Sequence, residues 1–208
     1  MAVIANIAGC NPHLKVGNRN APFLTDGREP YPEDCDFLHG HFAYERIPAS
    51  AVRFTFVRHP IARLSSCFYS LRQELRRYGV FHKDAKAVHL RFAGGISKTF
   101  LREQVWFLER IEDFIDAFLR TGGTFGMNFI PEILAPDYTR RYDYIGVTER
   151  IGESLWKLGR RIEIKTDPSK VMVVNASNSG EIRYRLKELT QFLGEQIETY
   201  QKICAMMP

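Results

Sequence analysis

An α/β fold, a parallel sheet covered by helices, is what the amino-acid order predicts, and three alternations carry that expectation. The β-branched and aromatic run Val52–Val57 stops at Arg58-His59-Pro60 and passes at once into a helical pattern. Tyr142–Val147 reads as a buried strand, followed by a helix from about Glu149 to Arg161. Val171–Val174 reads as a further strand ahead of a closing helix.

Each element has a local reason. Pro60 suits the first turn of a helix, where its missing N–H costs nothing, and Ile61, Leu64, Phe68, Leu71 and Leu75 then recur every three or four residues until Gly79. A second helical pattern runs through Leu101, Val105, Leu108, Ile111, Phe114, Ile115 and Phe118 to Gly122-Gly123, with a break expected in its middle. The closing helix carries Ile182, Leu186, Leu189, Phe192, Leu193, Ile197 and Tyr200 on one face. Phe37–Phe42 reads as a short strand or strand end. Residues 1–36, rich in Gly, Pro, Asn and Asp, are expected to be an irregular connection within a single domain spanning 1–208.

Composition narrows the function classes. The 208 residues are 45% hydrophobic and 25% charged, which places the chain with soluble globular domains rather than disordered ones. No run of 18 uncharged apolar residues is present, so no membrane segment is expected. The net charge of +5, from 29 Lys+Arg against 24 Asp+Glu, gathers in patches such as Arg72–Arg77 and Arg160-Arg161. That surplus suits an anionic ligand, but without a stripe of cations interleaved with exposed aromatics it does not predict a nucleic-acid partner. Cys10, Cys35, Cys67 and Cys204 are scattered, which argues for reduced thiols and against a cysteine-built metal site. No G-x-x-x-x-G-K-[ST] string exists, which removes a nucleoside-triphosphate kinase of that type.

The segment with chemistry is Arg53–Ser66. A strand that ends on Arg58 and runs straight into a helix with unpaired N–H groups is a ready phosphate site. Arg58 offers a planar two-pronged contact and Ser66, eight residues on, a hydroxyl. A solvated strand-end cation is the ordinary alternative.

Val57-Arg58-His59-Pro60-Ile61-Ala62-Arg63-Leu64-Ser65-Ser66-Cys67-Phe68-Tyr69 resembles the 3′-phosphate-binding signature of sulfotransferases that use 3′-phosphoadenosine-5′-phosphosulfate (PAPS). His39-Gly40-His41-Phe42-Ala43-Tyr44 and Tyr144-Ile145-Gly146-Val147-Thr148-Glu149 resemble two further motifs of the carbohydrate branch, the heparan sulfate and dermatan/chondroitin 2-O-sulfotransferases. The resemblance covers roughly residues 37–205. It implies a P-loop-NTPase-like sulfotransferase fold, PAPS as co-substrate without a metal, and a saccharide or other hydroxyl acceptor.

By the same resemblance His41 is the catalytic base, with His39 in support, and Arg58 and Ser66 grip the 3′-phosphate. Two imidazoles two residues apart on a strand point to one side, and histidine suits proton abstraction near neutral pH; a structural turn histidine or a partial HxH metal site is the alternative. Arg63 either joins the phosphate or pairs with a carboxylate such as Glu149. Asn175 and Ser177 either approach the nucleotide or form an ordinary turn.

Two departures stand out. His59 occupies a position where the family commonly has Asp. The strand and Lys-Thr-Gly-rich loop that hold the 5′-phosphosulfate are absent, and Lys15-Val16-Gly17-Asn18 is no substitute. The expectation is therefore either an active O-sulfotransferase or an inactive or truncated relative that keeps only the 3′-phosphate half-site. Its expected location is cytoplasmic, or the Golgi lumen if an N-terminal anchor has been removed.

Overall fold

The computed structural model describes residues 2–20, 36–41, 50–77, 87–91, 97–101, 109–122, 138–170 and 182–206. In order, the elements are α1 (Ala2–Cys10), β1 (Val16–Asn20), β2 (Phe37–His41), β3 (Phe54–Val57), α2 (Pro60–Arg77), β4 (Ala87–Arg91) and β5 (Ser97–Leu101). They continue as α3 (Ile111–Arg120), α4 (Tyr138–Arg141), β6 (Tyr144–Val147), α5 (Ile151–Arg161), α6 (Leu186–Phe192) and α7 (Gly194–Ala205). The chain is α/β, as its alternation of patterns predicts.

The strands do not form one sheet. Among the described residues they make three two-stranded sheets, β1 with β2, β3 with β6 and β4 with β5. The chain divides into two compact units. The first is Met1–Phe56, Arg91–Ser97 and Arg140–Asn175; the second is Val57–Leu90, Lys98–Thr139 and Ala176–Pro208.

In the first unit, residues expected to be irregular form α1 and β1. Asn6, Gly9 and Asn11 hide the helix from a propensity reading, yet Ile7 is fully buried and anchors it. β1, Val-Gly-Asn-Arg-Asn, is a weak strand by propensity and is held by pairing instead, which routinely overrides propensity in sheets. It runs parallel to β2 with Val16 opposite Phe37, Asn18 opposite His39 and Asn20 opposite His41. The register starts at a clasp: the Lys15 N–H donates to Asp36 Oδ2 (2.8 Å), and the Lys15 carbonyl accepts from the Asp36 and Phe37 amides.

The core of this unit joins α1, β2 and α5 through Ile7, Phe37 and Leu158, with Phe54, Phe56, Tyr144, Ile162 and Ile164 packed against them. Aromatic rings link its strands, Phe37 to Phe54 at 5.3 Å and Phe56 edge-on to Tyr144 at 6.4 Å. Two side chains fasten backbone to backbone. Asn11 donates to the Lys165 carbonyl (2.7 Å) and accepts from its N–H (3.0 Å), and Asn6 does the same with Asp167 (2.6 and 3.0 Å). Ser154 Oγ likewise bonds both the N–H and the carbonyl of Val147, tying α5 to the end of β6. Space is tight at Gly146, where an added Cβ would lie 2.5 Å from the Phe56 ring. At Gly159 it would meet Thr166 Oγ1 at 2.8 Å.

The second unit is helical at its centre. α2 follows its predicted pattern, with Leu64 and Phe68 buried. Of the long pattern from Leu101 to Phe118, Leu101 ends β5 and Ile111, Phe114, Ile115 and Phe118 lie in α3; Val105 and Leu108 lie outside the described residues. Phe114, Ile115, Ala117 and Phe118 of α3 are buried, with Phe114 5.4 Å from Phe68. The helix stops where Thr121 Oγ1 bonds the Ala117 carbonyl (2.8 Å) and Gly122 takes a φ of 60°. The closing helix is two helices. The chain bends at Leu193, whose φ and ψ of −93° and 14° end α6 and cap α7 just ahead of Gly194. The expected strand Val171–Val174 lies outside the described residues, and among those described no helix is long and apolar enough to cross a membrane.

Two measurements follow. Asn11→Ala removes both part-buried bonds to the Lys165 backbone and the buried one to the Ile7 carbonyl, and is expected to lower unfolding free energy by about 1–2 kcal/mol in urea titration, the usual net worth of such hydrogen bonds. Asp143 accepts from the backbone N–H of Arg53 (2.8 Å), and this bond, more than the Arg53 and Arg161 charges, holds its carboxyl below the usual range. A depressed folded value means the contribution is present above the ordinary carboxylate value of about 3.9 and is lost as pH falls through the folded one. Asp143→Asn should therefore flatten the acid limb of the stability profile below about pH 4.

Candidate functional site

Both members of the predicted phosphate pair fall in the second unit, at the junction between β3 and α2. Val57 is fully buried at the strand end and Pro60 is buried at the helix start, so Arg58 and His59 span a fixed gap. The first intrahelical bond runs from the Arg63 N–H to the His59 carbonyl at 2.8 Å. His59 is thus the capping residue and Pro60 the first helical one, which leaves the amides of Ile61 and Ala62 without intrahelical acceptors. These amides and the helix dipole favour an anion here.

Side chains around that turn add positive charge. Arg58 is half-buried, and among the described residues no carboxylate pairs with it. Arg63, Ser66 and Cys67 follow at three- and four-residue spacing, which puts them on one face of α2. Burial pushes the Cys67 thiol up from its ordinary value, and the guanidinium charges of Arg63 and then Arg58 pull against that rise. Both arginines therefore act on Cys67, the residue next to Ser66.

The remaining predicted residues fare differently. His39 and His41 lie on β2 of the first unit, opposite Asn18 and Asn20. Asn175 and Ser177 lie outside the described residues. Among the described residues no group of three His, Cys, Asp or Glu side chains could hold a metal ion.

Two features had no sequence signal. The His59 ring stands edge-on to Tyr200 of α7, with centroids 5.2 Å apart and planes at 82°, so the capping residue is braced by a helix from the far end of the chain. At the entry to α6, Arg185 adopts a left-handed φ of 48° and pairs with Asp116 of α3 (2.9 Å) and with Glu188. Partners 141 and 69 residues apart leave no local pattern to read.

No protein-family model, curated protein or solved structure matches the chain.

The electrostatics at Cys67 give a direct check of this geometry. Removing either guanidinium withdraws a charge that favours the thiolate, so Arg63→Ala and Arg58→Ala should each move the pH profile of Cys67 alkylation upward. Iodoacetamide labelling followed by peptide mass spectrometry reads this out; an unchanged profile in both variants would place the arginines away from the thiol.

Proposed function

We propose that the start of α2 binds the 3′-phosphate of an adenosine 3′,5′-bisphosphate nucleotide, and that the chain is a PAPS-dependent O-sulfotransferase acting on a hydroxyl of a carbohydrate-type acceptor. The observation that carries this reading is the turn itself. A strand-end arginine with no carboxylate partner among the described residues precedes a helix whose first amides lack acceptors, and a hydroxyl follows one face further on. A phosphate placed there would take a two-pronged contact from Arg58, a hydroxyl from Ser66 and charge from Arg63. The motifs around His39-Gly40-His41 and Tyr144–Glu149 support the choice of reaction.

Sulfuryl transfer asks for a base on the acceptor hydroxyl, and for cations to stabilise charge growing on the departing bisphosphate. In this reading His41 takes the acceptor proton, His39 supports it, and Arg58 orients the nucleotide from its far end. The bound donor supplies the activated sulfuryl group.

A second reading, that the chain keeps only the 3′-phosphate half of the site, is favoured by one observation. Lys15-Val16-Gly17-Asn18 is not a loop opening a helix: Val16–Asn20 is strand β1, paired in parallel with β2. The residues at α2 suit a 3′-phosphate, and nothing described before β2 has the strand, loop and helix that a 5′-phosphosulfate needs.

Calorimetric titration separates these readings. Adenosine 3′,5′-bisphosphate should bind in preference to adenosine 5′-monophosphate, and Arg58→Ala should cost about 1.5–3 kcal/mol of that binding, the size of a charge-assisted contact. Equal affinity for the two nucleotides, or an Arg58→Ala variant that binds like the parent, overturns the phosphate assignment. His41→Ala should abolish sulfate transfer to a saccharide while nucleotide affinity holds. A parent protein that binds the bisphosphate and transfers nothing supports the half-site reading.

A further inference from the structure

The outer face of α5 carries an arrangement that the fold does not require. Its inner face buries Ser154, Leu155, Leu158 and Gly159, which turns Trp156, Lys157, Arg160 and Arg161 outward. Trp156 keeps 48% of its surface exposed, and the Arg160 guanidinium sits 5.1 Å from its ring centroid. The four side chains line a shallow concavity of about 300 Å³. That is the lower end of the size range for small-ligand sites.

Cations in the last turn of a helix often do no more than complement its dipole. Here their pairings differ. Lys157 bridges to Glu153 (2.8 Å), and Arg161 acts on Asp143. Arg160 has no carboxylate partner among the described residues, and its guanidinium lies over the indole. This cation–π contact restrains the guanidinium ahead of any ligand, which reduces the ordering cost of an ion pair. A large exposed ring beside a guanidinium that no described carboxylate pairs with suits a ligand that is both flat and anionic.

From this we infer a second anion site, distinct from the start of α2, in which Trp156 and Arg160 bind a mononucleotide, the base stacking on the indole and the phosphate paired with Arg160 beside Arg161. Nucleobase stacking on aromatic and guanidinium planes is sequence-tolerant and strong enough to matter at an open surface. The inference does not rest on the sulfotransferase reading.

The test uses Trp156 as its own reporter. The chain has two tryptophans, so in a Trp106→Phe, Arg58→Ala protein the fluorescence comes from Trp156 and the α2 site is disabled. Adenosine 5′-monophosphate should give a saturable change, with adenosine and inorganic phosphate each weaker. Adding Arg160→Gln should weaken it about tenfold, the scale of one charge-assisted contact, with an unchanged thermal melt. Calorimetry on Trp156→Ala should show a comparable loss. A change that does not saturate, equal response to adenosine, indifference to Arg160→Gln, or tighter binding of N-acetylglucosamine 6-sulfate than of the nucleotide would each overturn the proposal.

Discussion

Buried backbone N–H and carbonyl groups must find partners, and among the described residues the strands are too short to supply them all. Four- and five-residue strands in separate pairs leave edges, and side chains fill the places where further strands would stand. Asn6 and Asn11 each present an amide, donor and acceptor together, to the backbone of Asp167 and Lys165. The side-chain amides of Asn6 in α1 and of Asn11 just after it thereby imitate a neighbouring strand along the segment that leaves α5. Ser154 satisfies both polar groups of Val147 by the same economy. Core packing around Ile7, Phe37 and Leu158 forms beside these bonds.

Much of the element order was legible because it follows from short-range chemistry. The strand ending at Val57, Pro60 opening α2, the buried run at Tyr144–Val147 and the helix after it all declare themselves through spacing and turn residues. Where the reading failed, long-range contacts decided. Val-Gly-Asn-Arg-Asn has little strand propensity and becomes β1 only because β2 lies alongside. Ala2–Cys10 is helical although Asn6 and Gly9 dilute its pattern, since Asn6 is needed for a contact 161 residues away. Apolar spacing continued across Leu193, so one helix was expected where the backbone bends into two.

The candidate site divides along the same line. Arg58, Arg63 and Ser66 belong to a single strand–turn–helix, so their placement about one turn is a property of local sequence and could be inferred from it. Cys67 adds an internal probe of that cluster, since its thiol feels both guanidiniums. The brace from Tyr200 to His59 depends on how α7 packs against α2, and no spacing within either helix announces it. His39 and His41 share a strand, as their alternation requires.

The crowding at Gly146 reaches beyond this molecule. With the Phe56 ring occupying the volume any side chain would need, positions 56 and 146 are not free to drift independently. Chains descended from a common ancestor with this packing should retain glycine wherever the ring is kept, and should admit alanine or serine at 146 only alongside a smaller residue at 56. A paired-substitution library scored for folding would trace that dependence as covariation, turning one close approach into a signature by which distant kin could be recognised.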